Sequence, residues 1–379
     1  MPPQLDTFKT HLAELEDPRV KVHNQLHHLD DILLLTILGV LSGANGWTEI
    51  EEFGHAKYHW LTTFLELPNG IPSHDTLGRL FALLDPEQFQ NSFLSWIQSL
   101  VSLNGEFIAI DGKTLRRAYQ TGKRQGAIPM ISAWGVTNHL VFGQLKTAQK
   151  SNEITAIPNL LEKLNLTGCT ISIDAMGTQT TIAPQIITEG GDYTLALKGN
   201  QSTRHEQVKE FFEIAQEHDF AKVTVEHRQE IHGDYGRIET RDYWLTKVAD
   251  YFETTHRGTG LQGIGCVIRQ REMGTPVTSE TAYYLLSYAS DVQRFARSVR
   301  GHWGIENSLP WSLDVSFSED QSRIRPGFAG ENLVVIRHLA LNLLKREQTL
   351  KRGIVIKRKR AGWDNSYLEK LLELAIPAR

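Results

Sequence analysis

The sequence predicts an α/β protein: a helical N-terminal part, then a mixed sheet with helices, interrupted by a strand-rich insertion. Three observations carry this. Apolar residues recur at three- and four-residue spacing through residues 1–104. From Glu106, short apolar runs that end in Asp, Gly or Asn alternate with helical stretches. Across residues 200–290, four strand-like runs follow one another with Gly-rich turns between them.

The helical part reads in order. "DDILLLTILGVLSGA" opens on acids, which suit a helix N-terminus, and stops at Gly43. "EIEEFGHAKYHWLTTFLEL" repeats apolar residues at helical spacing. "IPSHDTLGRLFALL" begins with Pro72-Ser73, a capping pair, and "DPEQFQNSFLSWIQSLV" begins with Asp85-Pro86. The pattern "HHLDD" from His27 reads as helix-start chemistry rather than a metal cluster.

The strands then follow. "EFIAIDGK" is a strand ending at Asp111-Gly112; "PMISAWGVT" and "LVFGQLKT" are joined at Asn138-His139, which suits a hairpin. "SNEITAIPNLLEKL" is a helix capped by Ser151 or Asn152, and "CTISIDAMG" a strand ending at Asp174. "TQTTIAPQIITEGG" is a helix closed by a glycine pair, and "DYTLALKGNQ" a fifth strand. Three antiparallel strands, helix, strand, helix, strand is a ribonuclease-H-like order, in which the first and fourth strands are neighbours at the centre. After the helix "RHEQVKEFFEIAQ", the runs "VTVEHRQE", "RIETRDYWLT", "GIGCVIRQRE" and "TAYYLLSY" form the insertion. Helical spacing resumes in "DVQRFARSVRGHWGIEN". The expected division is 1–104 helical, with possible DNA binding; 105–199 first part of the core; 200–290 insertion; and 291–379 core completion with a basic end.

Composition narrows the classes. The net charge of −4 is unevenly spread: residues 1–105 hold 5 Lys/Arg against 13 Asp/Glu, and residues 106–379 hold 35 against 31. Eight Lys/Arg fall between Lys345 and Arg360, a charge run that reads equally as solvated or as phosphate-contacting. Two isolated cysteines, Cys169 and Cys266, argue against a disulfide framework or a zinc site and for a reducing cytoplasm. The apolar run "ILLLTILGV" is too short to cross a bilayer, which needs about 20 residues.

The candidate chemistry lies in carboxylates. Asp111 and Asp174 each follow a central strand, and Glu306 falls on the later helix. Together they make an oxygen-rich site of the kind that holds Mg²⁺, with Mn²⁺ as substitute, for phosphoryl transfer by two ions about 4 Å apart. Asp314, Glu319 and Asp320 stand beyond Pro310, which is expected to break the helix, and their expected partners are Arg323 and Arg325. Lys113 and Lys198 follow strands near the acids and are candidates for phosphate contact. So are Arg237 and Arg241 after the turn "HGDYGR", Arg297, Arg300 and His302 beside Glu306, and Lys357, Arg358, Lys359 and Arg360 in the basic run. Trp303 and Trp311 read as core anchors before platforms for an unpaired base.

With these acids placed, the chain resembles bacterial insertion-sequence transposases of the D-D-E type, in particular the H-repeat-associated group. The likeness runs through "GIPSHDTLGRLFALLDP", "AIDGKTLRRA", "ISIDAMGTQ", "YTLALKGNQ", "HGDYGRIETRDYW", "RGHWGIENSLPWSLDVSFSEDQSRIR" and "NLVVIRHLALNLLKRE", in that order. It implies a DNA transposase, an endonuclease and strand-transfer enzyme with Asp111, Asp174 and Glu306 as its triad. It also implies double-stranded DNA as partner (terminal inverted repeats and target), a homodimer or larger assembly, and no membrane. The chain departs from the pattern at Pro310, where the group has His. It departs too at Val299, His302 and Leu313, where the broader family has Tyr, Arg and Lys, so a hairpin step is not implied. The rival expectations are a host nuclease on the same fold and a catalytically inactive, domesticated DNA-binding protein.

Overall fold

The structure is a computed structural model that describes residues 9–19, 25–115, 128–147, 153–175, 181–234, 237–248, 259–272 and 277–375. Within these, only the backbone is described at Thr114, Leu115, Ile128, Glu153, Ile154, Asp234, Glu306 and Asn307. The expected caps Ser151 and Asn152 lie outside the described residues.

The helical part contains α1 (Leu29–Leu41), α2 (Trp47–Ala56), the single turn α3 (Tyr58–Leu61), α4 (His74–Leu83) and α5 (Pro86–Leu100). Ser73 caps α4 by accepting from the Thr76 amide, and Asp85 caps α5 by accepting from Glu87 and Gln88, with Pro86 at the first helical position. Helix α1 is buried from Asp31 to Leu41. The Asp31 carboxylate accepts from the amides of Glu66 and Leu67 (3.3 and 2.9 Å), so this acid ties a turn and is not a metal ligand.

One nine-stranded sheet follows, in the order β3-β2-β1-β4-β5-β9-β8-β7-β6. Its strands are β1 (Phe107–Leu115), β2 (Ile128–Gly135), β3 (Val141–Lys146), β4 (Thr170–Ile173), β5 (Asp192–Leu197), β6 (Glu226–Asp234), β7 (Arg237–Lys247), β8 (Gly263–Glu272) and β9 (Thr278–Leu286). β1, β2 and β3 are antiparallel; β4 is parallel to β1, and β5 to β4. The insertion strands continue this sheet: β9 pairs antiparallel with β5, and β8, β7 and β6 follow as a meander. Helices α6 (Glu153–Glu162), α7 (Ile182–Thr188) and α8 (Ser202–Glu217) connect strands.

Helix α9 runs unbroken from Val292 to Phe317, with Pro310 inside it. The expected break at Pro310 does not occur. Proline removes one backbone bond and its ring crowds the preceding turn, a cost of about 3 kcal/mol. The apolar face around Pro310 (Ile305, Leu309, Leu313 and Phe317, all buried) holds the helix against the sheet despite it. Gly301 makes this approach possible: a Cβ there would lie 2.4 Å from Val136 Cγ2.

Helix α10 (Ala329–Arg346) is buried at Ala329 and from Glu331 to Leu344, and joins the helical part to the sheet. The Asn332 amide donates to the carbonyls of Phe81 and Leu84. At the far end, the Asn342 carboxamide both donates to and accepts from the Val141 backbone, satisfying edge strand β3 as another strand would. Helices α11 (Ile354–Trp363) and α12 (Asn365–Glu373) finish the chain, and Trp96 of α5 donates to the Ala375 carbonyl. The first hundred residues and the last fifty therefore share one core.

Candidate active site

The central strands bring the two aspartates together. In the parallel pair β1/β4, Ile110 stands beside Ile173, and Asp111 and Asp174 are each the next residue. Adjacent strands lie roughly 4.8 Å apart. Asp111 does not end its strand, as expected from sequence: β1 continues against β2 to Leu115, with Asp111 opposite Ser132. It marks where β1 parts from β4. The Asp111 carboxylate accepts from the Gly112 amide at 2.8 Å.

Alternation puts Ala109, Asp111 and Lys113 on one face of β1. Helix α9 covers that face and is fastened at three levels. At the first, Arg294 donates to Thr170 Oγ1 (2.8 Å) and to Asp192 Oδ2 (2.5 Å). Next, His302 Nδ1 lies 3.4 Å from Ser172 Oγ on β4. Farthest along, Asp314 accepts from Lys113 on β1 at 2.8 Å. Burial lowers the His302 pKa to about 4, only partly opposed by Asp174, so the ring is neutral at physiological pH. Arg294 and Ser172 were not foreseen; nothing in their local sequence distinguishes them from ordinary surface and strand residues.

Lys113, expected to touch phosphate, is instead enclosed by carboxylates. Its Nζ lies 2.8 Å from Asp314 Oδ1, 2.8 Å from Glu319 Oε2 and 3.9 Å from Asp320 Oδ1. Glu319 is buried. Lys113 of β1, which sequence proximity did not suggest as a partner, thus pairs with these acids, and the charge of Arg337 on α10 also reaches Glu319 and Asp314. Among the described residues no group of three His, Cys, Asp or Glu side chains converges to hold a metal; the Glu306 side chain lies outside that description.

The remaining basic candidates separate into two kinds. Lys198 is exposed at the end of β5, and Arg300 is exposed on α9. Arg300 lies 2.6 Å from His232 Nε2 and 3.5 Å from Glu230. Arg237 and Arg241 both pair with Glu239, which Arg271 also reaches at 3.2 Å. Arg269 pairs with Glu280 and stacks 3.7 Å over the ring of Trp303. Arg300 is exposed beside this network, whereas Arg237, Arg241 and Arg271 are half-buried around Glu239.

The basic run beyond Lys345 is different. Lys357 and Arg358 are buried, which removes them as phosphate contacts in this conformation. Lys357 Nζ donates to the Leu344 carbonyl at 2.9 Å. Arg358 donates to the carbonyls of Val40, Ala44 and Ser316 and to Asn45 Oδ1. Burial lowers the Arg358 pKa to about 9. Lys351, Arg352, Lys359 and Arg360 face solvent, and Arg360 pairs with Asp364 at 2.8 Å. Trp311, expected in the core, is 64% exposed, whereas Trp303 is partly buried under Arg269. Cys169 and Cys266 are buried free thiols. Among the described residues no helix is long and apolar enough to cross a membrane.

A parallel strand pair thus carries two acids beneath a helix, with arginines paired to Glu239 and Glu230 nearby. Comparison with known proteins gives the class. The description "Transposase DDE domain" matches residues 103–343, and "DDE_Tnp_1-associated" matches residues 9–97. The chain belongs to the DDE transposase family. It is 38% identical over 379 residues to "H repeat-associated putative transposase YhhI" of Escherichia coli K12, covering 97% of this chain and 98% of that one. It is 41% identical over 351 residues to "Putative transposase YncI" of Escherichia coli O157:H7, covering 91% and 89%. Among solved structures, a piggyBac transposase synaptic complex with hairpin DNA aligns at TM-score 0.37 and 11% identity, over 96% of this chain and 77% of that one. That likeness is too low to bear on the fold.

Proposed function

We propose that this DNA transposase cuts and joins strands at a site made by Asp111, Asp174 and Glu306 on a ribonuclease-H-like core. The strand order β3-β2-β1-β4-β5, with β4 and β5 parallel to β1, supports that core. The observation that carries the triad is the level at which α9 crosses the two aspartates. His302 sits over Ser172, which is level with Ala109, and Asp314 meets Lys113. Asp111 lies midway between Ala109 and Lys113. Glu306 is one helical turn past His302, about 6 Å along the axis, and roughly 12 Å before Asp314. Its backbone is therefore alongside Asp111 and Asp174.

Three carboxylates suit a hard divalent cation, Mg²⁺ with Mn²⁺ as substitute. When bound there, such ions lower the pKa of an attacking water or hydroxyl and stabilise the leaving oxygen. The chain's own residues do the rest. β1 and β4 hold two ligands in fixed register, and α9 brings the third. The neutral His302 adds no charge to compete for the acids. The exposed Arg300 and Lys198, with the part-exposed Arg237, would hold the DNA backbone. Two copies, each on one element end, would complete the assembly.

The test is cleavage of DNA carrying the element's ends with Mg²⁺. Changing Asp111, Asp174 or Glu306 singly to Ala should lower cleavage at least about 10³-fold while duplex binding persists, because a carboxylate ligand is lost but phosphate contacts are not. Full cleavage by any one variant would overturn the assignment. Cleaved but unjoined product from the native chain would favour a nuclease.

A further inference from the structure

We propose that Lys113 is a positioning residue for the catalytic acids: it clamps α9 onto β1, so that Glu306 is held at the level of Asp111. The inference rests on the triad reading above and adds to it a residue whose ammonium group is taken up by carboxylates of this chain.

The geometry is specific. Lys113 follows Asp111 by two residues on the same strand and face, so its position relative to Asp111 is fixed by the pleat. Its ammonium group meets Asp314 and Glu319, both at 2.8 Å, with Asp320 at 3.9 Å. Asp314 is two helical turns beyond Glu306 on α9, and Glu319 lies in the 3₁₀ turn Glu319–Gln321 that follows the helix. One cation thus joins the strand bearing Asp111 to both the end of the helix bearing Glu306 and the segment after it. The Glu319 side chain is 1% exposed and that of Lys113 19%, so water cannot replace the contact cheaply.

The need for a clamp follows from the helix itself. Pro310 stands between Glu306 and Asp314 and takes away the backbone bond that would stiffen this part of α9. Upstream, the helix is fixed by Arg294 and by His302 on Ser172. Downstream of Pro310, Lys113 supplies the ion pairs to the sheet. Without it, the buried Arg337 of α10, whose charge also reaches Glu319 and Asp314, would be left to offset the repulsion among Asp314, Glu319 and Asp320, and nothing in that offset ties the helix end to β1. The spacing of Glu306 from Asp111 and Asp174 would then loosen, and with it the affinity for a divalent ion.

The experiment measures Mn²⁺ binding by water-proton relaxation on the intact chain, well below its melting temperature and without substrate. Lys113→Met should weaken Mn²⁺ binding about tenfold, the lower range for residues that orient ligands. Lys113→Arg should recover most of the loss. Asp314→Asn, a milder change at a part-exposed partner, should weaken binding in the same direction but less, and serves if Lys113→Met does not fold. Hydrogen exchange should quicken along α9 after Pro310 in Lys113→Met and in Asp314→Asn. Binding within twofold of native in both Lys113→Met and Asp314→Asn would overturn the clamp while leaving the triad standing. Mn²⁺ binding that survives Asp111→Asn together with Glu306→Gln would instead overturn the triad reading, and the clamp with it.

Discussion

The decisive residues are those whose charge burial has altered. His338 on α10 is 2% exposed, and burial, with the nearby Lys113 and Arg337 charges, lowers its pKa to about 3. Its folded pKa is below the unfolded value of 6.5, so full stability is present above pH 6.5 and is lost as pH falls toward 3. Glu347 adds a second window. Hydrogen bonds from Thr349, Leu350 and Tyr367 outweigh the opposing effect of burial and bring its pKa down to about 2. Its contribution is present above 4.5 and disappears as pH falls below that. Denaturant midpoints should therefore begin to fall below about pH 6.5, steepen below about 4.5, and cost about 1.4 kcal/mol per pH unit for each fully linked group. His338→Gln should flatten the upper part of that profile; an unchanged slope there would show that the histidine is not buried neutral.

At the scale of elements, α9 is a long helix that keeps going where its own sequence argues for a stop. Packing of Ile305, Leu309, Leu313 and Phe317 outweighs the proline. Replacing Pro310 by Ala should therefore raise stability by about 1–3 kcal/mol, read as a higher urea midpoint. Gly301→Ala should do the reverse. A methyl group would meet both Val136 methyls at 2.4 and 2.5 Å and lift the helix next to His302, at a cost of about 1–3 kcal/mol. Equal stability of the Gly301→Ala variant would mean that the helix is not seated so closely. The insertion strands teach a related lesson. Their sequence announces strands, yet only the pairing of Thr194 to Leu197 with Tyr283 to Leu286 shows that they lengthen the central sheet.

For the whole molecule, two regions that hold basic residues have different work. Arg300 is exposed on α9, 3.5 Å from Glu230. In α11 the inner cations, Lys357 and Arg358, bind carbonyls and lock α1, α9 and α11 together. Arg300→Ala should thus lower the slope of log K against log salt by about 1, the signature of one lost phosphate contact. Arg358→Met should leave that slope unchanged while lowering the thermal midpoint, because it strips several carbonyls of their donor. A reduced salt slope in Arg358→Met would assign the buried arginine to DNA after all.

The sequence alone determined the order of helices and strands, the caps at Ser73 and Asp85, the family, and the choice of Asp111, Asp174 and Glu306 as candidates. These are local or motif-borne properties: periodicity, turn chemistry and carboxylate type survive in a one-dimensional reading. Only the tertiary structure decided that Lys113 lies among acids, that Lys357 and Arg358 turn inward, that Trp311 faces solvent and that Pro310 is tolerated. Each of those depends on partners far away in the chain, about 200 residues off for Lys113 and Asp314 and about 310 for Arg358 and Asn45. Burial and pairing are set by which surfaces meet, and no spacing within a single segment encodes that.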